Sequence, residues 1–93
     1  MKKYVKINDA LNDDPLYLAA LREWNKIRAD FGIRPQEPLA GVFACSLEPG
    51  NSYRDPKTGC ARWDYSGLRV EMGARLDAVP EFQTFFQTYA VEG

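Results

Sequence analysis

Residues 60–72 of the chain read CARWDYSGLRVEM, and apolar and polar side chains alternate along both halves of this stretch. Alternation with a period of two places successive side chains on opposite faces of a β-strand. With Ser66 and Gly67 as a two-residue hairpin loop, the apolar residues pair across the two strands. These pairs are Tyr65 with Leu68, Trp63 with Val70, and Ala61 with Met72. The stretch therefore predicts a hairpin with an apolar interior face.

The opposite face of the predicted hairpin carries charged side chains. Asp64 falls opposite Arg69, and Arg62 falls opposite Glu71. A slip of one residue breaks both the apolar and the charge matches, so one register is strongly favoured. This face is either an ordinary solvated sheet face or a docking surface for a partner. We take these four charged residues as candidate partner-binding residues.

A third strand is predicted over residues 41–47, where Phe43, Cys45 and Leu47 alternate with smaller side chains. Pairing this strand with the hairpin makes an antiparallel meander of three strands. Cys45 and Cys60 then point to opposite faces of the sheet, and a disulfide needs converging Cβ vectors. Two cysteines are also too few for the frameworks of small secreted proteins. We therefore expect two reduced thiols.

Two helices flank the predicted meander. The first covers residues 15–31, because its apolar side chains recur at spacings of three and four. This stripe consists of Tyr17, Ala20, Leu21, Trp24, Ile27 and Phe31. Asp14 is a good N-cap, Pro15 suits the first helical position, and Gly32 suits a left-handed C-terminal cap. A second helix is predicted over residues 80–91 from the same periodicity.

The element order completes the predicted fold. Tyr4, Val5 and Ile7 give a short strand signal before the first helix. The order is then (β)-α-β-β-β-α, which predicts an α+β protein with two helices packed on one face of a small antiparallel sheet. A chain of 93 residues has room for one compact domain, residues 1–93.

The segment 49–59 is longer than the connection between two neighbouring strands requires. Long loops in compact domains are usually functional or disordered. An aromatic residue and an arginine on a protruding loop can anchor a partner, so we take Tyr53, Arg54 and Lys57 as further candidate partner-binding residues. The alternative is a tolerated insertion with Tyr53 folded onto the rim of the core.

Composition argues against catalysis and cofactors. The chain has no histidine, which removes the usual general base near neutral pH and the commonest zinc ligand. Cys45 and Cys60 lack further ligands at zinc-site spacing, while Asp13 and Asp14 are explained by helix capping. We find no glycine-rich phosphate loop. We therefore expect no enzymatic activity, no metal site and no cofactor.

The formal net charge of -1 argues against a protein that mainly binds nucleic acid. The element order resembles that of double-stranded RNA-binding domains in topology alone. Those domains carry lysines at the start of the last helix, where this chain has Asp77, Pro80 and Glu81. The meander also turns Trp63 and Tyr65 into the core, where they cannot stack on bases.

The remaining class is a small protein whose function lies in its surface. We expect a non-enzymatic protein-binding module, an inhibitor or adaptor of the kind that mobile elements encode, anti-CRISPR proteins among them, which occludes a site on a larger partner protein. The alternatives are a small RNA-binding domain and a self-associating structural or assembly protein. No apolar run has the length of a signal peptide or a membrane span, so we expect a cytoplasmic protein.

Overall fold

The computed structural model of the chain describes residues 2–92, with Lys2 described by its backbone alone. Within this range the fold has three α-helices and two antiparallel sheets of two strands each, so the predicted α+β class is confirmed. The elements in chain order are β1 (Lys2–Val5), a 3₁₀ helix (Asp9–Asp13), α1 (Pro15–Asp30), β2 (Tyr53–Arg54), β3 (Ala61–Arg62), α2 (Tyr65–Asp77), α3 (Pro80–Tyr89) and β4 (Ala90–Glu92).

Helix α1 begins at the predicted residue and ends at Asp30, one residue before the predicted end. The Asp14 carboxylate accepts hydrogen bonds from the backbone N–H groups of Leu16 and Tyr17, at 2.8 and 3.4 Å. At the other end, the Ile33 N–H donates to the carbonyl of Arg28 at 2.9 Å. Gly32 lies between them with φ of 76°, a left-handed conformation that glycine adopts at little cost. This arrangement is a Schellman cap, and it satisfies carbonyls that the helix end leaves free.

The predicted hairpin over residues 61–72 is wrong. Residues 65–77 form α2, so Ser66 and Gly67 lie in its first turn instead of in a hairpin loop. Leu68, Met72 and Leu76 are buried at helical spacing, and α2 packs against α1. Leu68 and Met72 also fit the alternating pattern of a strand, so residues up to position 72 do not distinguish a strand from a helix. Trp63 and Val70, predicted to be interior, are 60% and 73% exposed.

The predicted strand over residues 41–47 is also wrong, because no described strand pairs with this segment. Side chains take the place of a strand partner. Gln36 Nε2 donates to the carbonyl of Val42 at 2.6 Å, and Gln36 Oε1 accepts from the N–H of Ala44 at 2.7 Å. Arg28 Nη1 donates to the carbonyl of Ala44 at 2.6 Å. Backbone groups that find side-chain partners do not need a neighbouring strand.

The two observed sheets are small. Strands β1 and β4 pair antiparallel with Val5 opposite Ala90, so the predicted N-terminal edge strand exists and its partner is the C-terminal end of the described chain. Helix α3 accordingly ends at Tyr89, two residues before the predicted end. Strands β2 and β3 form a separate hairpin with Tyr53 opposite Arg62.

The core lies around α1, which packs against both α3 and α2. Its largest fully buried side chains are Trp24, Tyr17, Phe31, Phe85, Leu68 and Met72. Phe43 inserts its ring among this group, with centroids 5.5 Å from Tyr17, 5.1 Å from Phe82 and 5.8 Å from Phe85. Such edge-to-face contacts favour the aromatic packing beyond the area that it buries.

Candidate functional site

The structure separates the three candidates of the 49–59 segment. Tyr53 is half-buried, and its hydroxyl accepts a hydrogen bond from the Glu48 N–H at 2.7 Å. Arg54 is exposed, but its guanidinium donates to the carbonyls of Ala29 and Asp30, so it serves the C-terminal end of α1. Lys57 is exposed in the turn at residues 56–58. The segment is therefore a folded hairpin, with Lys57 as its outermost candidate.

Three of the four candidates from residues 62–71 do come together, in a geometry different from the predicted one. Arg62 binds Asp64 through two hydrogen bonds, from Nε at 2.8 Å and from Nη2 at 2.5 Å. Its Nη1 pairs with Glu71 and lies 3.9 Å from the Asp55 carboxylate. The predicted pairing of Arg62 with Glu71 thus exists, because α2 brings Glu71 back over β3. The predicted pairing of Asp64 with Arg69 is wrong, since Asp64 binds Arg62.

Arg69, the fourth candidate, lies exposed on α2. Its charge favours the thiolate of Cys45, but burial is the larger effect and raises the pKa of that thiol. Cys45 packs its sulfur 3.6 Å from that of Met72. Both cysteines are free, as predicted. The predicted reason, a sheet with Cys45 and Cys60 on opposite faces, does not apply.

The ion pairs around Arg62 set the local charge. Hydrogen bonds from Arg62 lower the pKa of the Asp64 carboxyl, and those same bonds with Asp64 and Glu71 raise the pKa of the guanidinium. Arg62 and Asp64 therefore stay charged near neutral pH. One guanidinium faces the three carboxylates of Asp55, Asp64 and Glu71, which leaves a formal local charge of about -2.

Gly67 makes room for this ion cluster in the first turn of α2. A Cβ at position 67 would lie 2.5 Å from Asp64 Oδ2 and 3.2 Å from Arg62 Nη2. Asp64 occupies the N-cap position of α2 but makes no capping hydrogen bond, because its carboxylate is bound to Arg62. The ion cluster thus fills the space where a Cβ of residue 67 would lie. It also engages the Asp64 carboxylate, which could otherwise cap the helix.

Two exposed apolar side chains are neighbours in sequence of members of the ion cluster. Trp63 lies between Arg62 and Asp64 in the chain, and Val70 precedes Glu71 on α2. We call these five residues the Trp63 surface. The bidentate bond between residues 62 and 64 restrains the backbone on both sides of the indole. The result is an exposed aromatic side chain on a restrained backbone, next in sequence to the Asp64 carboxylate.

Sequence reasoning missed Trp63, Val70 and the buried Arg28 as candidates. For Val70, helical spacing could have indicated exposure. Leu68, Met72 and Leu76 recur every four residues on one helix face, and residue 70 then falls on the opposite, solvent-facing side. For Arg28 the signal is its position four residues after Trp24 and three before Phe31, on the apolar stripe of α1. For Trp63, which precedes α2, no local pattern indicates exposure.

Other kinds of site find no support in the described part of the chain. Across residues 2–92, no group of three or more Cys, Asp or Glu side chains could hold a metal ion. No described helix has both the length and the apolarity to cross a membrane. Comparisons with models of protein families, with curated proteins and with solved structures return no match. Function must therefore be argued from the geometry of the chain itself.

Proposed function

We propose that the protein is a non-enzymatic protein-binding module, an inhibitor or adaptor that inserts Trp63 into an apolar cleft of a larger partner protein. The observation that carries this proposal is the 60% exposure of Trp63, in a chain whose other tryptophan is 2% exposed. Tryptophan is one of the three residue types enriched among binding hot spots.

The charge of the Trp63 surface indicates which charged residues the partner would carry at the rim of its cleft. Its carboxylates outnumber its single guanidinium, and that guanidinium already has three acidic neighbours. Complementary potentials favour association and suppress wrong partners. The partner that fits has an apolar cleft with lysine or arginine at its rim. Candidate residues Asp64 and Glu71 would face those cations, and Arg62 would hold both carboxylates in place.

The same charge disfavours the RNA-binding alternative. The exposure of Trp63 removes one argument against base stacking, since the predicted burial of this indole was wrong. Phosphates, however, need uncompensated cations beside the stacking ring. The guanidinium next to Trp63 in sequence belongs to Arg62, which pairs with three carboxylates. A local excess of negative charge repels a phosphate backbone.

The two free cysteines favour a reducing compartment for this activity, so we place it in the cytoplasm. Self-association is a second candidate, favoured by the two-stranded sheet of β1 and β4. Tyr4 and Val91 lie opposite each other there and are 52% and 36% exposed. An open strand edge can pair with a second copy.

The test begins with photo-crosslinking in the cells that naturally produce the protein. A benzophenone amino acid replaces Trp63 in one variant and Leu39, which is also exposed, in the matched control. Proteins captured from position 63 alone are then purified, and their affinity for the unlabelled chain is measured by calorimetry. We expect Trp63→Ala to weaken binding at least about tenfold, and Leu39→Ala to leave it within about twofold.

Two charge-removing variants test the carboxylates of the Trp63 surface. Asp64→Asn and Glu71→Gln should each slow association and reduce its dependence on salt. The proposal fails if Trp63→Ala binds a captured protein as tightly as the unaltered chain does. It also fails if position 63 crosslinks to nucleic acid alone, or to a second copy of the chain alone. Sedimentation at several concentrations separates the last outcome from the others.

A further inference from the structure

Arg28 is a buried arginine without an acidic partner. It lies in the last turn of α1 and is 6% exposed. Its Nε donates to the Arg34 carbonyl at 2.8 Å, and its Nη1 donates to the Ala44 carbonyl at 2.6 Å. Among described residues 2–92, no carboxylate lies within ion-pair distance of the guanidinium, and Nη2 makes no hydrogen bond.

This arrangement leaves binding capacity unused. A guanidinium has five N–H donors, and only two of its three nitrogens have partners here. Burial lowers the pKa of Arg28, which reflects the cost of a charge removed from water. The carbonyls at the end of α1 offset part of this cost, because a helix C-terminus favours cations. An anion bound to the remaining donors would offset more of it.

Arg28 lines an open groove of about 400 Å³ between the end of α1 and the residues before β2. The groove is lined mainly by polar residues, among them Arg28, Arg34, Glu48, Asn51 and Ser52. Its volume is in the range of small-molecule sites. Two arginines and one glutamate give the lining a formal charge of about +1.

We propose that this groove binds a carboxylate ligand whose anionic group pairs with Arg28. Three N–H donors of the guanidinium remain, two on Nη2 and one on Nη1, and these can bind the oxygens of a carboxylate. A monoanion balances the charge of the lining, whereas a phosphate dianion would exceed it and would face Glu48. The site goes beyond the proposed protein-binding function, because the groove shares no residue with the Trp63 surface. The carboxylate could belong to a free metabolite-sized acid or to the C-terminus of a peptide.

The test is a nuclear magnetic resonance titration of the intact chain at constant ionic strength. The probes are acetate, N-acetyl-dialanine with a free carboxylate, its C-terminal amide, and inorganic phosphate. We expect the Arg28 Nε–H signal and the backbone amides of Asn51 and Ser52 to shift and saturate with the two carboxylates. The dialanine acid should bind at least about tenfold more tightly than its amide, because the amide lacks the charge.

Acetate and the dialanine acid also separate the two sources of carboxylate. Equal affinities indicate that the groove recognises the charged group alone, as for a small free acid. Tighter binding of the dialanine acid indicates a site shaped for a chain terminus. Acid and amide that bind equally, phosphate that binds more tightly than both acids, or shifts that never saturate would each overturn the proposal.

Matched variants locate the site. Arg34→Gln removes a groove side chain and should weaken binding about threefold, while the Arg34 carbonyl still holds Arg28. Arg22→Gln removes the same charge from an exposed position of α1 outside the groove, and should leave affinity unchanged. Equal losses in both variants would show that net charge alone attracts the probes. Arg28→Gln should abolish binding, and if it fails to fold, the Arg28 Nε–H signal of the unaltered chain decides.

Discussion

The side chain of Asn25 holds both backbone polar groups of Gln36. Asn25 Oδ1 accepts from the Gln36 N–H at 2.7 Å, and Asn25 Nδ2 donates to the Gln36 carbonyl at 3.2 Å. Gln36 in turn accepts from the Trp24 indole N–H at 3.0 Å and binds the backbone at Val42 and Ala44. Through these two residues, α1 holds an extended segment that has no strand partner among the described residues.

We expect Gln36→Ala to lower the free energy of unfolding by about 2 kcal/mol, because it leaves the Trp24 indole N–H and the Ala44 N–H without partners. Urea denaturation measures the change. Gln83→Ala is the matched control, since Gln83 makes one exposed hydrogen bond, to the Asp77 carbonyl. The control should stay within about 0.5 kcal/mol of the unaltered chain. Equal effects in both variants would contradict the bridging role of Gln36.

The two tryptophans should differ in fluorescence and in their effect on stability. Trp63→Phe leaves only Trp24, so its emission should lie at shorter wavelength and resist quenching by acrylamide. Trp24→Phe leaves only exposed Trp63, so the reverse is expected. Trp63→Phe should change the free energy of unfolding by less than about 0.5 kcal/mol. Trp24→Phe should lower it by about 2 kcal/mol or more, through lost packing and the lost bond to Gln36.

These measurements test the placement of the Trp63 surface directly. If the remaining Trp63 in Trp24→Phe resisted quenching in the folded state, the indole would be buried. The proposed function would then lose its anchor. Quenching after denaturation in urea is the control, because both variants should then respond alike.

The two glycines of α2 should respond differently to alanine. Gly73→Ala should raise the free energy of unfolding by about 0.5–1 kcal/mol, because alanine favours a helix and no atom lies within 4 Å of the new Cβ. Gly67→Ala has the same propensity gain but would place its Cβ against Asp64 Oδ2. We expect the free energy of unfolding of Gly67→Ala to be about 1 kcal/mol lower than that of Gly73→Ala.

Asp64→Asn supplies the control for this comparison. With the bidentate bond to Arg62 weakened, the side chain at position 64 can move away from residue 67. The difference between the two glycine variants should therefore shrink in the Asp64→Asn background. Equal gains from both alanines in the unaltered background would contradict the ion cluster around Gly67.

Stability at acid pH should depend on the contact between Asp14 and Tyr89. The Tyr89 hydroxyl donates to the Asp14 carboxylate, and this bond, with the N-cap bonds of α1, holds the pKa of Asp14 below its ordinary value of 3.8. A lowered pKa in the folded state stabilises the fold above the ordinary value, and this contribution is lost as the pH falls through the lowered pKa. The free energy of unfolding should therefore drop below about pH 4.

Tyr89→Phe should raise the pKa of Asp14 toward 3.8. The decrease in the free energy of unfolding at low pH should then be smaller. Unfolding measured between about pH 2 and 6, with the Asp14 carboxyl followed by nuclear magnetic resonance, provides the readout. Tyr4→Phe makes the same chemical change at an exposed position outside this contact, and should reproduce the unaltered curve. An Asp14 titration that is identical in both variants would show that Tyr89 does not act on it.

Helix α1 shows how much of the fold could be predicted from local sequence. Asp14, Pro15 and Gly32 act on backbone groups within a few residues of themselves, so their effects need no knowledge of distant contacts. The same holds for most of α3. Less of the candidate site could be predicted from the sequence. The pairing of Arg62 with Glu71 was predicted correctly, but on the basis of a hairpin that does not form.

Residues 61–72 could not be decided locally, because Tyr65, Leu68 and Met72 fit a strand and a helix alike. Burial against α1 selected the helix, since it buries Leu76 as well and turns Val70 outward. Residues 41–47 alternate as a strand does, but Gln36, Tyr17 and Arg28 supply the hydrogen bonds that a sheet would have supplied.

The chain by itself determined the caps and the apolar face of its first helix, because these depend on residues close in sequence. The tertiary structure alone decided that Trp63 is exposed and that Arg28 is buried without a carboxylate. Both depend on which distant segments exclude water from a side chain, and a local pattern carries no information about that.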